Sequence, residues 1–94
     1  SCLVLAPQVN GSEILTIEAL EQDGKLDRLQ QSFIDNHAVQ CGFCTPGMLM
    51  SAKALPLKNP HPTQEEIRAA LSGNLCRCTG YLSIIAAVEG AIDK

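Results

Sequence analysis

Two short stretches of this sequence carry closely spaced cysteines. The first is QCGFCTPG, Gln40 to Gly47, and the second is NLCRCTGY, Asn74 to Tyr81. In both stretches the second cysteine is followed by threonine and then by a pattern typical of a helix start. Thiolates bind soft metals, form disulfides or act as nucleophiles, so four of them in two pairs indicate a site with chemistry. The elements that bring the two pairs together decide which chemistry it is.

The sequence from Lys25 onward has helical periodicity. A first helix carries Leu26, Leu29 and Phe33 on one face and fades near Asn36 and His37. The second is expected to begin at Thr45–Pro46, with Thr45 as N-cap, and to end at Pro56.

Two further helices follow a loop punctuated by Pro60 and Pro62. The third is introduced by a capping box at Thr63–Glu66 and stops at Gly73. The fourth starts near Gly80 and carries an apolar stripe of Tyr81, Ile85, Val88 and Ile92. The sequence therefore predicts an all-α fold, a four-helix bundle with approximate two-fold symmetry.

The first twenty residues have a different character. Cys2 to Leu5 form an apolar run typical of a buried strand, and Ile14 to Glu18 suggest a second strand after an Asn10-Gly11 turn. Because two strands are marginal alone, we expect them to be a short β remnant, with this chain forming the latter part of a longer polypeptide.

Each cysteine pair lies just before the N-terminus of a predicted helix. Cys41 and Cys44 precede the second helix, and Cys76 and Cys78 precede the fourth. If the two halves pack symmetrically, all four sulfurs converge between two helix N-termini. Unpaired N–H groups there favour thiolates and lower the pKa of cysteine. Gly42 allows the tight turn that such a centre needs.

Composition excludes several classes of function. The net charge is −3, which argues against a nucleic-acid partner. No apolar run approaches the length of a membrane span, and no secretory leader pattern is present, so we expect a cytoplasmic protein without a membrane span. Aromatic residues make up only 3% of the chain, so a metal centre would help to stabilise a thin core.

Three chemistries compete for the thiols. Disulfides would leave a fifth cysteine over, and no βαβ pattern surrounds the C-x-x-C to suggest a thioredoxin-like site. A structural Cys₄ zinc site in an assembly domain remains an alternative, although C-x-C is a tight knuckle for one tetrahedral ion. A two-iron cluster divides four ligands between two metals and fits better; Rieske ligation is excluded because neither His37 nor His61 follows a cysteine at ligand spacing.

The text QCGFCTPGMLMSAKAL together with NPHPTQEEIRAALSGNLCRCTGY closely resembles the iron–sulfur small subunit of the molybdenum hydroxylases. That family includes xanthine dehydrogenase, aldehyde oxidoreductase, carbon monoxide dehydrogenase and 4-hydroxybenzoyl-CoA reductase. The resemblance implies that a helical domain over residues 21–94 holds one 2Fe–2S cluster. Its ligands would be Cys41, Cys44, Cys76 and Cys78.

The resemblance also gives roles to other residues and to partners. Residues 1–20 would be the end of a ferredoxin-like β-grasp domain plus a linker, and Cys2 the fourth ligand of a second 2Fe–2S cluster there. Gln40 and Cys78 would lie against molybdopterin. The chain would be an electron-transfer module of an oxidoreductase complex without a substrate site of its own. It would relay electrons between a molybdenum-binding subunit and the second cluster or an FAD-binding subunit.

The sequence also predicts roles for residues near the cysteines. A docking face is expected at one end of the bundle, bordered by Gln40, Gly42, Phe43 and Arg77. Thr45 and Thr79 are interpreted as helix caps, with hydrogen bonding to cluster sulfur as the alternative.

Overall fold

A computed structural model describes residues 3–92 of the chain. It contains four α-helices, which we number in chain order: α1 Arg28–Asp35, α2 Thr45–Lys58, α3 Gln64–Leu71 and α4 Leu82–Ile92. Two single 3₁₀ turns precede them, at Ala6–Val9 and Ile17–Leu20. The prediction of four helices is confirmed.

Side-chain capping fixes the starts of two of these helices. Asp27 accepts a hydrogen bond from the Leu29 N–H at 3.0 Å, and its own N–H donates to Gln30 Oε1 at 2.9 Å, which starts α1. The predicted capping box of α3 is confirmed, because Thr63 Oγ1 accepts from the Glu66 N–H at 3.2 Å and Glu66 accepts from the Thr63 N–H in return. Such reciprocal bonds satisfy donors that a helix start leaves unpaired.

The core lies where α1 packs on α4 and α2 on α3. Its largest fully buried side chains come from all four helices: Phe33, Met48, Ile67, Ile84 and Val88. Ser32 of α1 donates a 2.6 Å hydrogen bond to the Ala87 carbonyl of α4, which brings these two helices close together. The core thus ties together the two helices that follow the cysteine pairs.

Three details of the predicted helices were wrong. Leu26 precedes α1 and is 41% exposed, so it does not belong to the buried face. The N-cap of α2 is Cys44, and Thr45 is already its first helical residue. Pro56 lies inside α2 instead of ending it; the helix continues for two more residues, because a proline this near the end removes only one hydrogen bond.

The predicted strands were also wrong. Leu3 to Leu5 and Ile14 to Thr16 are extended or irregular, and a 3₁₀ turn replaces the end of the second run. Between residues 3 and 92 the only β-type pairing is one isolated bridge, Gln22 with Lys25. A strand needs a neighbour to satisfy its backbone groups, and these segments have none in the described part of the chain. The approximate two-fold symmetry stays a prediction, and Cys2 lies outside the described residues.

No helix within residues 3–92 combines the length and the apolar character that crossing a bilayer requires.

Candidate metal centre

The backbone around each cysteine pair includes residues in the left-handed region: Gly42 at the first pair, Gly80 and Tyr81 after the second. Gly42 adopts φ 84° between Cys41 and Cys44, and the turn delivers Cys44 to the start of α2. Tyr81 adopts φ 74° directly before α4, after the loop that carries Cys76 and Cys78. A left-handed residue lets the chain reverse tightly, so both pairs of thiols face the same region.

All four thiols line one surface cavity of about 390 Å³. The remaining lining residues are Phe43, Leu75, Arg77 and Tyr81. The structure therefore brings together the four cysteines that the sequence singled out. His37 and His61 are both exposed and do not line the cavity.

The thiols pair across the two motifs. Cys41 and Cys78 are close enough to shift each other's pKa, and so are Cys44 and Cys76, so each pair of neighbours takes one cysteine from each motif. Within residues 3–92, no three Cys, His, Asp or Glu side chains are arranged to hold one metal ion together. A structural zinc ion needs four ligands around a single centre, whereas a two-iron cluster takes two thiolates on each iron. The two-by-two arrangement fits a 2Fe–2S cluster.

The environments of the four thiols differ. Burial raises the pKa of Cys44 to about 11, and the neighbouring Cys76 adds to this effect. Hydrogen bonds from the Thr79 hydroxyl and amide lower the pKa of Cys76 to about 7. The Phe43 N–H lowers the pKa of Cys41, while the hydrogen bond to Cys41 raises that of Cys78. The expected lowering of the pKa thus occurs at one thiol of each pair, Cys41 and Cys76. It fails for Cys44, where desolvation dominates, and for Cys78, where the neighbouring Cys41 does.

Two side chains from the segment just before α4 hold Cys76. Thr79 Oγ1 lies 3.1 Å from Cys76 Sγ, and the Tyr81 hydroxyl accepts the Cys76 N–H at 2.9 Å. The alternative role predicted for Thr79, a bond to cysteine sulfur, is the one the structure supports. The polar role of Tyr81 was missed, because its apolar stripe position predicted only core packing.

Asn74 fastens the second cysteine loop to α2. Its side-chain amide donates to Ser51 Oγ at 2.8 Å, in the middle of that helix. Gly47 makes room for this contact, because a Cβ at Gly47 would lie only 2.7 Å from Asn74 Oδ1. No sequence signal indicated this contact, since it joins residues more than twenty positions apart.

The rim of the cavity is apolar and exposed. Of the residues that line it, Phe43 is 92% exposed and Leu75 84%. Leu82, 70% exposed, follows the lining residue Tyr81 in the chain. Gln40 and Arg77 are also exposed beside them in the chain. A cluster of large exposed apolar side chains marks an interaction surface more often than a solvated one.

Comparison with known proteins gives consistent matches. A family profile described as 2Fe–2S binding domain matches residues 16–89. The nicotinate dehydrogenase small FeS subunit of Eubacterium barkeri is 56% identical over 94 residues, covering all of this chain and 60% of that protein. The xanthine dehydrogenase iron-sulfur-binding subunit of Escherichia coli O157:H7 is 50% identical over 88 residues, covering 90% of this chain and 55% of that protein.

A solved structure agrees with these matches. Quinoline 2-oxidoreductase from Pseudomonas putida 86 superposes with a TM-score of 0.88 at 53% identity, covering 98% of this chain and 57% of that one. The chain thus spans a little over half the length of these relatives. With four thiols paired two by two and a family profile over most of its length, the chain belongs to the 2Fe–2S binding domain family.

Proposed function

We propose that the chain is an electron-transfer module that holds one 2Fe–2S cluster through Cys41, Cys44, Cys76 and Cys78. The observation that carries this proposal is the pairing of four thiols across two helix mouths in one cavity. A 2Fe–2S cluster supplies one-electron redox chemistry, while the protein supplies ligands, burial and hydrogen bonds. The Cys44 and Cys76 sulfurs would serve one iron, and those of Cys41 and Cys78 the other.

The module would work inside a molybdenum hydroxylase without transforming a substrate itself. In that complex it would relay electrons between a molybdenum–pterin centre on a large subunit and a second 2Fe–2S cluster, with FAD on a further subunit. The names of the relatives support the oxidoreductase setting, since they include small subunits of nicotinate and xanthine dehydrogenases. Gln40 and Cys78 would face the molybdopterin; both are exposed, so a partner can reach them.

The partner would dock on the exposed apolar side chains at the rim of the cavity, Phe43 and Leu75. Burying these side chains in a complex removes apolar surface from water and shields the cluster at the same time. Hydrogen exchange measured on the isolated protein and on its complex with the molybdenum subunit tests this docking. Amides of residues 40–44 are expected to exchange more slowly in the complex, and unchanged exchange there would refute the docking face.

Residues 1–20 would be the end of a ferredoxin-like β-grasp domain plus a linker, and the helical domain would cover residues 21–94 with approximate two-fold symmetry. Leu3, Leu5, Ile14 and Leu15 are all exposed in the described chain, which supports a covering domain. Cys2 would then be the fourth ligand of that domain's cluster. In the complete protein, Cys2→Ala is expected to remove one of two 2Fe–2S signals in electron paramagnetic resonance; two undisturbed signals would contradict this assignment.

The visible spectrum of protein purified without air tests the cluster itself. We expect red-brown protein with charge-transfer bands that bleach on adding dithionite, whereas a zinc protein would be colourless. Cys44→Ser is expected to lose these bands. Cys2→Ser is the matched control, because it changes a cysteine outside the proposed ligand set and should leave the helical-domain bands in place.

A further inference from the structure

A closed ring of hydrogen bonds surrounds Cys76. Thr79 Oγ1 lies 3.1 Å from Cys76 Sγ, and the Thr79 N–H donates to the same sulfur at 3.4 Å. The Tyr81 N–H donates to Thr79 Oγ1 at 3.2 Å, and the Tyr81 hydroxyl accepts the Cys76 N–H at 2.9 Å. Each member of the ring is thereby held by the other two.

The ring decides the direction of the hydroxyl bond. Thr79 Oγ1 accepts a hydrogen bond from the Tyr81 N–H, so its own O–H is free to donate elsewhere. A cysteine that ligates a metal is a thiolate, which has no proton to give. The bond between Thr79 and Cys76 therefore runs from the hydroxyl to the sulfur whenever the sulfur is a ligand.

Within residues 3–92, the first cysteine motif has no equivalent ring of hydrogen bonds. Thr45 follows Cys44 as Thr79 follows Cys78, and both threonines are half-buried, Thr45 as the first residue of α2 and Thr79 three residues before α4. Thr45 nevertheless donates no hydrogen bond to Cys41 or Cys44, whose pKa values are set by backbone N–H groups, burial and the other thiols. The two motifs resemble each other in sequence, but only the second gives a ligand sulfur a hydroxyl donor within residues 3–92.

We propose that Thr79 is a potential-setting residue, whose hydroxyl raises the reduction potential of the cluster by donating a hydrogen bond to Cys76 Sγ. This proposal rests on the proposed function, in which Cys76 is a ligand. Reduction adds one electron and no proton, so the negative charge on the ligand sulfurs grows and no bond is broken. Hydrogen-bond donors stabilise the more negative form, and hydrogen bonding to sulfur is one of the properties that set such potentials.

The test is a reductive titration of the cluster-loaded protein with dithionite in the presence of redox mediators, followed by electron paramagnetic resonance. Thr79→Val keeps the shape of the side chain and removes the hydroxyl. We expect its midpoint potential to fall by roughly 59 mV, which for a one-electron couple is a tenfold shift toward the oxidised form. Thr79→Ser keeps the hydroxyl and should remain close to the original potential.

Thr45→Val is the matched control and should also leave the potential in place. An unchanged or higher potential in Thr79→Val would overturn the proposal, and so would an equal fall in Thr45→Val. If Thr79→Val does not load the cluster, Thr79→Ala removes the hydroxyl with less bulk and is judged in the same way. Failure of both to load, with normal loading of Thr79→Ser, would also overturn it, because the hydroxyl would then retain the cluster and not tune it.

The same titration separates this inference from the proposed function. Original protein without any 2Fe–2S signal would refute the proposed function. A normal signal in the original protein, with an unshifted potential in Thr79→Val, would refute only the role of Thr79.

Discussion

Replacing Gly47 with alanine should disturb the contact that fastens the second cysteine loop to α2. The new Cβ would lie 2.7 Å from Asn74 Oδ1, well inside the 3.4–4 Å of ordinary van der Waals contact. Asn74 cannot move away freely, because its amide donates to Ser51 Oγ at 2.8 Å. The substitution must therefore either strain this side chain or break its hydrogen bond.

Two opposing effects set the size of the change. Alanine is favoured over glycine in a helix by about 0.5–1 kcal/mol. Overpacking typically costs about 1–3 kcal/mol, and a lost hydrogen bond about 0.5–1.5 kcal/mol. We therefore expect Gly47→Ala to lower the free energy of unfolding by about 1 kcal/mol. In an Asn74→Ala background nothing obstructs the Cβ, so the same change should raise the free energy of unfolding by about 0.5 kcal/mol.

The assay is urea unfolding followed by circular dichroism, on four variants with equal cluster occupancy that complete a double-mutant cycle. Gly73→Ala is the control next to Asn74, since no atom lies within 4 Å of its Cβ position and its φ is not in the left-handed region. It should change the free energy of unfolding by less than Gly47→Ala and in the stabilising direction. If Gly47→Ala has the same effect with and without Asn74, the Asn74 side chain does not obstruct a Cβ at position 47, and the predicted contact is refuted.

Three further outcomes are expected, all measured by unfolding free energy. Phe43→Ala should leave the free energy of unfolding nearly unchanged, because the ring is 92% exposed. Phe33 is only 1% exposed, so Phe33→Ala should lower that free energy by about 3–5 kcal/mol. Equal costs for the two substitutions would contradict the assigned burial. Gly42→Ala should cost about 1–2 kcal/mol through backbone strain alone, since φ is 84° and no atom lies within 4 Å of the Cβ position; a neutral result would show that the turn relaxes. Burial alone would raise the pKa of Asp27, but hydrogen bonds from Lys53 and the Leu29 N–H lower it. A lowered folded-state pKa stabilises the fold above the unfolded-state pKa. Asparagine can still cap the helix, so Asp27→Asn loses mainly the exposed ion pair with Lys53 and should be destabilised by about 0.5 kcal/mol above about pH 5. The variant should match the original protein once the pH falls below the folded-state pKa; a constant difference from pH 7 to pH 3 would contradict the pKa shift.

The helices could be predicted from the sequence because their signals are local. The Thr63–Glu66 capping box involves residues three apart, and the structure reproduces it. The periodicity that predicted α4 also selected Ile85 and Val88, which are buried. Boundaries were less accurate where two local rules compete. Thr45 is a good N-cap by residue type and Pro46 would suit the first helical position, but the helix begins one residue earlier, with Cys44 as its N-cap.

The features that failed depend on distant residues. A run such as Leu3 to Leu5 has the composition of a strand, but a strand forms only where another segment supplies its hydrogen bonds, and the sequence does not reveal where that partner lies. At the site, spacing groups Cys41 with Cys44, whereas the folded chain pairs Cys41 with Cys78. The convergence of the motifs was foreseeable, but the pairing across them follows from how α1 packs on α4 and α2 on α3.

The content of iron and acid-labile sulfide in protein prepared without air tests the central claim most directly. If the helical domain holds a 2Fe–2S cluster, we expect about two iron atoms and two sulfides for each chain, held by four thiolates. The same protein with Cys76→Ser should contain clearly less of both and should unfold more easily, because binding of the metal and folding are coupled. Stoichiometric zinc without sulfide in the native protein would contradict the assignment of a 2Fe–2S cluster.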